Sequence, residues 1–379
     1  MKRLPLPRPF ARPARPPFDV SARGLALYRI AFSAFALLAA APGHHPYFRF
    51  TPLADIPDVF FLPPPGPMQF LSGFPPELFF EALHLGIVVA LVALLLGYRT
   101  RLASVATTVL MLVGFGFSYS LGKINHNILF VLLPLLMAGS GWGAAWSLDA
   151  RRTRERPRVF SWPLVLTATV TSFAMCTAGF PKVLGGWLDP STQAARSRLL
   201  DGFFVKERQD FLAEAAVSMQ NDVIWELLDI ATVAFEMGFL LALLYPAVFR
   251  IFAAGAVFFH AGVMLIMNIA FPLNFIVYAV ALPWPRIARR IVRRITGVSG
   301  RRRLRRVHVP TWTFAVFGTG LVAFFYLVGS PLLWVDGGFT SDLLAIDVFV
   351  VGLGIATVVA VTVPVVRRGL ATIATPRSS

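Results

Sequence analysis

Residues Phe79–Gly97 read FFEALHLGIVVALVALLLG, and after Tyr98-Arg99-Thr100-Arg101 the chain resumes at Leu102–Leu121 with LASVATTVLMLVGFGFSYSL. Each run is about 20 residues long, the length an α-helix needs to cross a hydrocarbon core ~30 Å thick. In lipid every backbone N–H and C=O must be satisfied internally, and a helix does this within one segment. The two runs and their short basic turn therefore predict a membrane hairpin. Outward from it, further apolar runs occur at Gly24–Ala41, His126–Ala145, Phe160–Phe180, Val223–Tyr245, Phe249–Ala270, Pro272–Leu282, Thr311–Leu333 and Leu344–Val366. The expected fold is all-α, a polytopic transmembrane bundle of about ten spans, of which Pro272–Leu282 is the shortest.

Composition points the same way. Of 379 residues, 56% are hydrophobic and 14% charged, more apolar than a soluble domain of this length requires. The net charge of +16 would suggest nucleic acid, but its placement argues otherwise. With the N-terminus inside and one crossing per run, the inside segments hold 27 of the 35 Lys and Arg, while the outside ones hold Arg49, Lys123, Lys182, Arg196, Arg198, Lys206 and Arg208. That bias is the positive-inside rule. It predicts a multi-pass protein of the cell (plasma) membrane with both termini cytoplasmic and no nucleic-acid partner; no protein partner can be named. The expected divisions are a basic tail (1–23), a transmembrane domain (24–290), a basic linker (291–310), a helix pair (311–366) and a tail (367–379). Met1–Arg23 is followed by Gly24–Ala41 with no convincing Ala-x-Ala cleavage site, so that run reads as a first span rather than a signal peptide. The arginines from Arg286 to Arg306, spaced helically opposite Ile287, Ile291 and Ile295 at their start, predict a helix lying on anionic inner-leaflet lipid. Cys176 is the single cysteine, which excludes an intramolecular disulfide.

Two outside loops exceed simple turns. Gly43–Leu78 contains FFLPPPGPMQFLSGFPPELFF (60–80), irregular backbone with aromatic anchors for the interface. In Val183–Asp222, Asp189-Pro190 reads as a helix cap with proline at the first helical position, which predicts an amphipathic surface helix.

Ionisable groups at membrane depth are the functional candidates, because each costs a few kcal/mol on insertion scales. Arg29, about one turn into the first span, reads as a snorkelling cation or structural ion pair. Asn125, His126 and Asn127 open the fourth span, either capping free N–H groups or facing a site. Lys182 ends the fifth span near Trp187, either an interfacial anchor or, desolvated, a base. Asp229 and Glu236 share one face of the sixth span, and His260 lies midway along the seventh. Glu236 and His260, on consecutive antiparallel helices, are expected to pair. The adjacent His44-His45 lack flanking carboxylates at ligand spacing, so no metal is expected.

The motif order resembles the HTTM domain, the membrane half of vitamin K-dependent gamma-carboxylase and its bacterial relatives. The resemblance runs through Leu27-Tyr28-Arg29-Ile30-Ala31-Phe32, Gly97-Tyr98-Arg99, Asn125-His126, Trp146-Ser147-Leu148-Asp149, Ala178-Gly179 with Lys182 and Trp187, Glu236, His260 and Phe271-Pro272. It implies a reduced quinone (vitamin K-like) as cofactor, Lys182 as the base that deprotonates it and His126 as its assistant, at the outer face. Asn125, Trp187, Arg29, Asp229, Glu236 and His260 would complete the polar network. The residues themselves leave open a transporter or lipid-handling protein using Asp229, Glu236 and His260 as a polar path, and a non-enzymatic assembly subunit.

Overall fold

The computed structural model describes residues 18–39, 48, 50–122, 124, 126–153, 158–296, 311–323, 348–349 and 351–359. Its helices are α1 (Ala22–Ala39), α2 (Glu77–Leu96), α3 (Thr100–Tyr119), α4 (Ile128–Met137), α5 (Leu148–Arg152), α6 (Trp162–Leu184), α7 (Ala194–Leu200), α8 (Ala213–Val217), α9 (Asp222–Ala242), α10 (Pro246–Met267), α11 (Pro272–Tyr278), α12 (Trp284–Thr296) and α13 (Thr311–Ala323). No strand occurs among the described residues, and the all-α expectation holds. Of the ten expected spans, α1, α2, α3, α6 and α10 are long and apolar enough to cross a membrane. Helix α9 has the length, but Asp222, Glu226, Asp229 and Glu236 interrupt its apolar composition. The ninth and tenth expected spans are helical at Thr311–Ala323 and 351–359. Their remainders, most of the tails and linker, His44-His45, Lys123 and Asn125 lie outside the described residues.

Burial is inside out relative to a soluble bundle. On α9, Leu227, Ile230, Leu240 and Leu241 are exposed while Asp229 is fully buried and Glu236 is 4% exposed. Phe173 and Phe180 on α6, Val109 on α3 and Ile251 and Phe258 on α10 likewise face outward. Apolar side chains outside and charged ones inside suit a lipid solvent, in which the polar groups are the ones that need protein partners. The architecture is compatible with an integral membrane protein.

The fourth expected span is shorter than its apolar run. Helix α4 ends at Met137, and Gly139-Ser140-Gly141-Trp142-Gly143 continues as turns, with Gly141 at φ +77°. Carbonyls from this segment and from the end of α2 are used by Arg29, which neither snorkels nor pairs with an acid among the described residues. Arg29 is fully buried. Its Nη1 donates to the carbonyls of Leu94 (2.5 Å) and Leu95 (2.6 Å), Nη2 to Trp146 (2.6 Å) and Nε to Trp142 (3.2 Å). A helix leaves its last carbonyls without intrahelical donors and carries partial negative charge there, so a buried guanidinium at the end of α2 satisfies both demands.

Gly97 closes α2 in the left-handed region (φ +68°) beside this knot, and its amide completes the turn. A Cβ there would sit 2.3 Å from Ser147 Cβ and 2.9 Å from Arg29 Nη1. Gly97→Ala should lower stability by about 2–3 kcal/mol, combining left-handed backbone strain with overpacking; an unchanged thermal midpoint of the purified protein would contradict this.

The expected surface stripe is present on α12: Arg286, Arg289, Arg290, Arg293 and Arg294 are exposed, while Trp284, Pro285 and Ala288 are buried. Asp189 does not cap a helix. Its carboxylate accepts from Ser191 N and Oγ, closing a turn, and α7 starts only at Ala194 after Gln193 has taken a positive φ. The 50–76 segment forms short 3₁₀ turns, with Val59, Phe60 and Phe70 exposed as expected of aromatic and aliphatic anchors.

Candidate functional site

Helices α6 and α9 approach closely at Gly179, where a Cβ would stand 3.0 Å from Glu236 Cβ and 3.2 Å from Met237 Cγ. One turn further along α6, Lys182 Nζ reaches the Glu236 carboxylate, bonding Oε1 at 2.5 Å and also Oε2. Glu236 lies fourteen residues into the 21-residue α9, ~21 Å at 1.5 Å per residue, so α6 ends opposite a point two thirds of the way along α9. Lys182 therefore has a protein partner on α9. After Leu184 the chain reverses through Gly185 and Gly186 (φ +78°), with Trp187 N donating to Lys182 O at 3.1 Å. That reversal lays the Trp187 ring 5.2 Å from Nζ, within cation–π range.

The expected Glu236–His260 pair does not form, because each residue has another partner. Glu236 holds Lys182, and His260 Nδ1 is 3.3 Å from Tyr278 Oη, with the two rings stacked at 5.7 Å. His260 is 6% exposed and Tyr278 3%. Phe271 sits between the two histidines, its centroid 4.4 Å from the His260 ring and 4.2 Å from that of exposed His126. Lys182 and His126 lie near enough for their charges to act on His260, and Glu236 near enough to act on Tyr278. Lys182, Glu236, Trp187, His126 and His260 thus converge.

Two expected members stand apart. Arg29 belongs to the knot at the end of α2, beside the loop that leads to Trp162 at the start of α6, whereas Lys182 is twenty residues further along that helix, ~30 Å. Asp229 lies two turns from Glu236 and accepts the amide of Ala195 through Oδ1 at 2.8 Å, anchoring α7; its buried Oδ2 has no hydrogen-bond partner. Asn127 does not cap α4; its Oδ1 instead accepts from Tyr119 Oη at 2.6 Å.

Sequence reasoning missed Tyr278 and Asn274. Asn274 is 3% exposed, and its Oδ1 has no hydrogen-bond partner. The signal was their i, i+4 spacing in the otherwise apolar Pro272–Leu282, which puts both on one helical face. Beside this site a concavity of about 390 Å³ is lined by Gly185, Trp187, Thr192, Ser197, Arg198 and Asp201. Lys206 donates to Asp201 at 2.6 Å and holds its carboxyl below the usual range; the Ser191 amide, then its hydroxyl, do the same for Asp189. Both contributions are present above the ordinary aspartate pKa and are lost as pH falls through the depressed one.

No protein-family model, curated protein or solved structure matches the chain.

Proposed function

We propose that the chain is a multi-pass membrane protein of the HTTM type, with both termini cytoplasmic, that binds a lipidic quinone at the Lys182 end of the bundle and handles a proton there. The observation that carries this reading is the Lys182–Glu236 pair under Trp187. A lysine that only anchored a helix would not be held by a 4%-exposed carboxylate. An ammonium bonded to a carboxylate can pass it a proton and accept another, which suits base chemistry on an acidic hydroxyl.

The surrounding residues fit a quinone. Trp187 supplies an aromatic ring beside Lys182, Met175 Sδ lies 3.9 Å from Tyr278 Oη, and Asn274 Oδ1 is a buried acceptor in want of a donor. A reduced quinone would supply the acidic hydroxyl. Lys182 and Glu236 would hold the proton, His126 would orient the ring system, and the aromatic walls would exclude water. The transport reading is less favoured, because Asp229, Glu236 and His260 each bond outside the trio and form no continuous path.

The test is quinone binding by the purified protein in detergent, with folding followed by thermal melt. Wild type should bind, folded Lys182→Ala and His126→Ala should bind at least about tenfold more weakly, a loss of one charged or polar contact, and Glu236→Gln should fall between. Absence of binding by wild type would overturn the reading.

A further inference from the structure

A separate concavity of about 570 Å³ lies at the other end of the bundle, between the first turn of α3, the glycine-rich segment after α4, and α5. Its walls carry three guanidinium side chains, Arg99, Arg101 and Arg158, together with Thr100, Gly143 and Asp149. Among the described residues of that lining the one acid is already engaged: Asp149 Oδ1 accepts from Arg99 N at 2.8 Å, and Oδ2 from Thr100 N at 2.7 Å and Thr100 Oγ1 at 2.6 Å. It caps α3, and among the described residues none of the three guanidinium groups forms an ion pair.

The cleft is also built rather than incidental. Arg99 holds a left-handed backbone (φ +43°, ψ +50°), a conformation that glycine or asparagine adopts more readily. The Asp149 bond to its amide secures that conformation. Tyr98 beside it is flanked by the guanidinium groups of Arg99 at 5.9 Å and Arg152 at 5.2 Å. On the chain segments that carry the lining residues, Tyr98, Trp146, Phe160 and Trp162 are exposed. Tyr and Trp gather at the headgroup level of a bilayer, so these aromatics suit a cleft at the depth of lipid phosphates. Arginine forks match phosphate oxygens two at a time.

We propose that this cleft is a phosphate site that takes the headgroup of an anionic phospholipid. It is distinct from the arginine stripe of α12 and independent of quinone binding; the orientation proposed above matters only for naming the leaflet, the cytoplasmic one. Phosphate chemistry is shared by a soluble phosphate ester, and the test separates the two sources.

Full-length protein in phosphatidylcholine nanodiscs is melted with and without phosphatidylglycerol, and separately with inorganic phosphate. Phosphatidylglycerol is expected to raise the melting midpoint by several degrees. The rise should vanish in Arg99→Gly, which keeps the φ of that residue without side-chain strain, and in Arg158→Gln, and persist when Arg289, Arg290, Arg293 and Arg294 on α12 are changed to Gln. A rise given by inorganic phosphate without phosphatidylglycerol, and lost in the same two variants, supports the site and makes a soluble phosphate its ligand. No rise with either additive, a rise retained by Arg99→Gly and Arg158→Gln, or one lost only in the α12 variant overturns the proposal.

Discussion

Arg29→Ala is expected to lower stability by at least about 4 kcal/mol, since each buried carbonyl deprived of its donor costs about 1–3 kcal/mol. Four such carbonyls are involved, those of Leu94, Leu95, Trp142 and Trp146, which belong to two different chain segments. Removing the guanidinium also leaves a void where a fully buried side chain stood. Arg29→Lys separates charge from geometry. An ammonium keeps the favourable interaction with the end of α2 but presents three donors from one atom and cannot span acceptors on both segments. It should recover less than half of the loss. A snorkelling arginine, the reading the sequence alone favoured, would tolerate lysine with no change. The thermal midpoint of the purified variants decides between them, and a lysine variant that melts with wild type would sink the capping role.

Why the sequence misjudged Arg29 is instructive, because its depth was legible and its partners were not. Hydropathy locates a cation one turn inside a span, but the acceptors come from residues 65 to 117 positions away in sequence. Those of Trp142 and Trp146 are free because α4 stops at Met137 and the chain continues as turns, and those of Leu94 and Leu95 because α2 ends there. The same limit applies at the candidate site. Length and apolarity marked α1, α2, α3, α6 and α10 to within a few residues, and polarity within apolar runs marked Lys182, Glu236 and His260. Pairing was inferred from chain order, α9 with α10. The close approach that decides it is between α6 and α9, allowed by the absent side chain of Gly179. His260 then falls to Tyr278 on α11, a helix whose short apolar sequence hid its polar face. Element type follows from local pattern, whereas partner choice follows from which backbones can come close.

The Lys182–Glu236 pair offers the sharpest check on that partner choice. Lys182→Ala strands a carboxylate on a residue 4% exposed, and breaking one side of a buried pair costs about 3–5 kcal/mol. The lower end applies, since the lysine side chain is 23% exposed and water reaches part of it. Glu236→Gln keeps a carbonyl acceptor for the ammonium, so its loss should be smaller, about 1–2 kcal/mol. Lys182→Met/Glu236→Met removes both charges and their desolvation together, and its stability should return to within about 1 kcal/mol of wild type. In a cycle closed with the Lys182→Met and Glu236→Met single variants, whose losses should resemble those of the Ala and Gln variants, a coupling energy of about 3–4 kcal/mol between the two sites is therefore expected, against about 0.5 kcal/mol or less between Glu236 and His260, which share no bond. Denaturation of the single and double variants in the same detergent measures both cycles. A larger coupling to His260 than to Lys182 would restore the pairing inferred from chain order and dismantle the site. If the expected couplings hold, the double methionine variant gains a second use. It is folded but without a titratable pair, so quinone binding lost in it reflects the chemistry of Lys182 and Glu236 rather than collapse of the bundle.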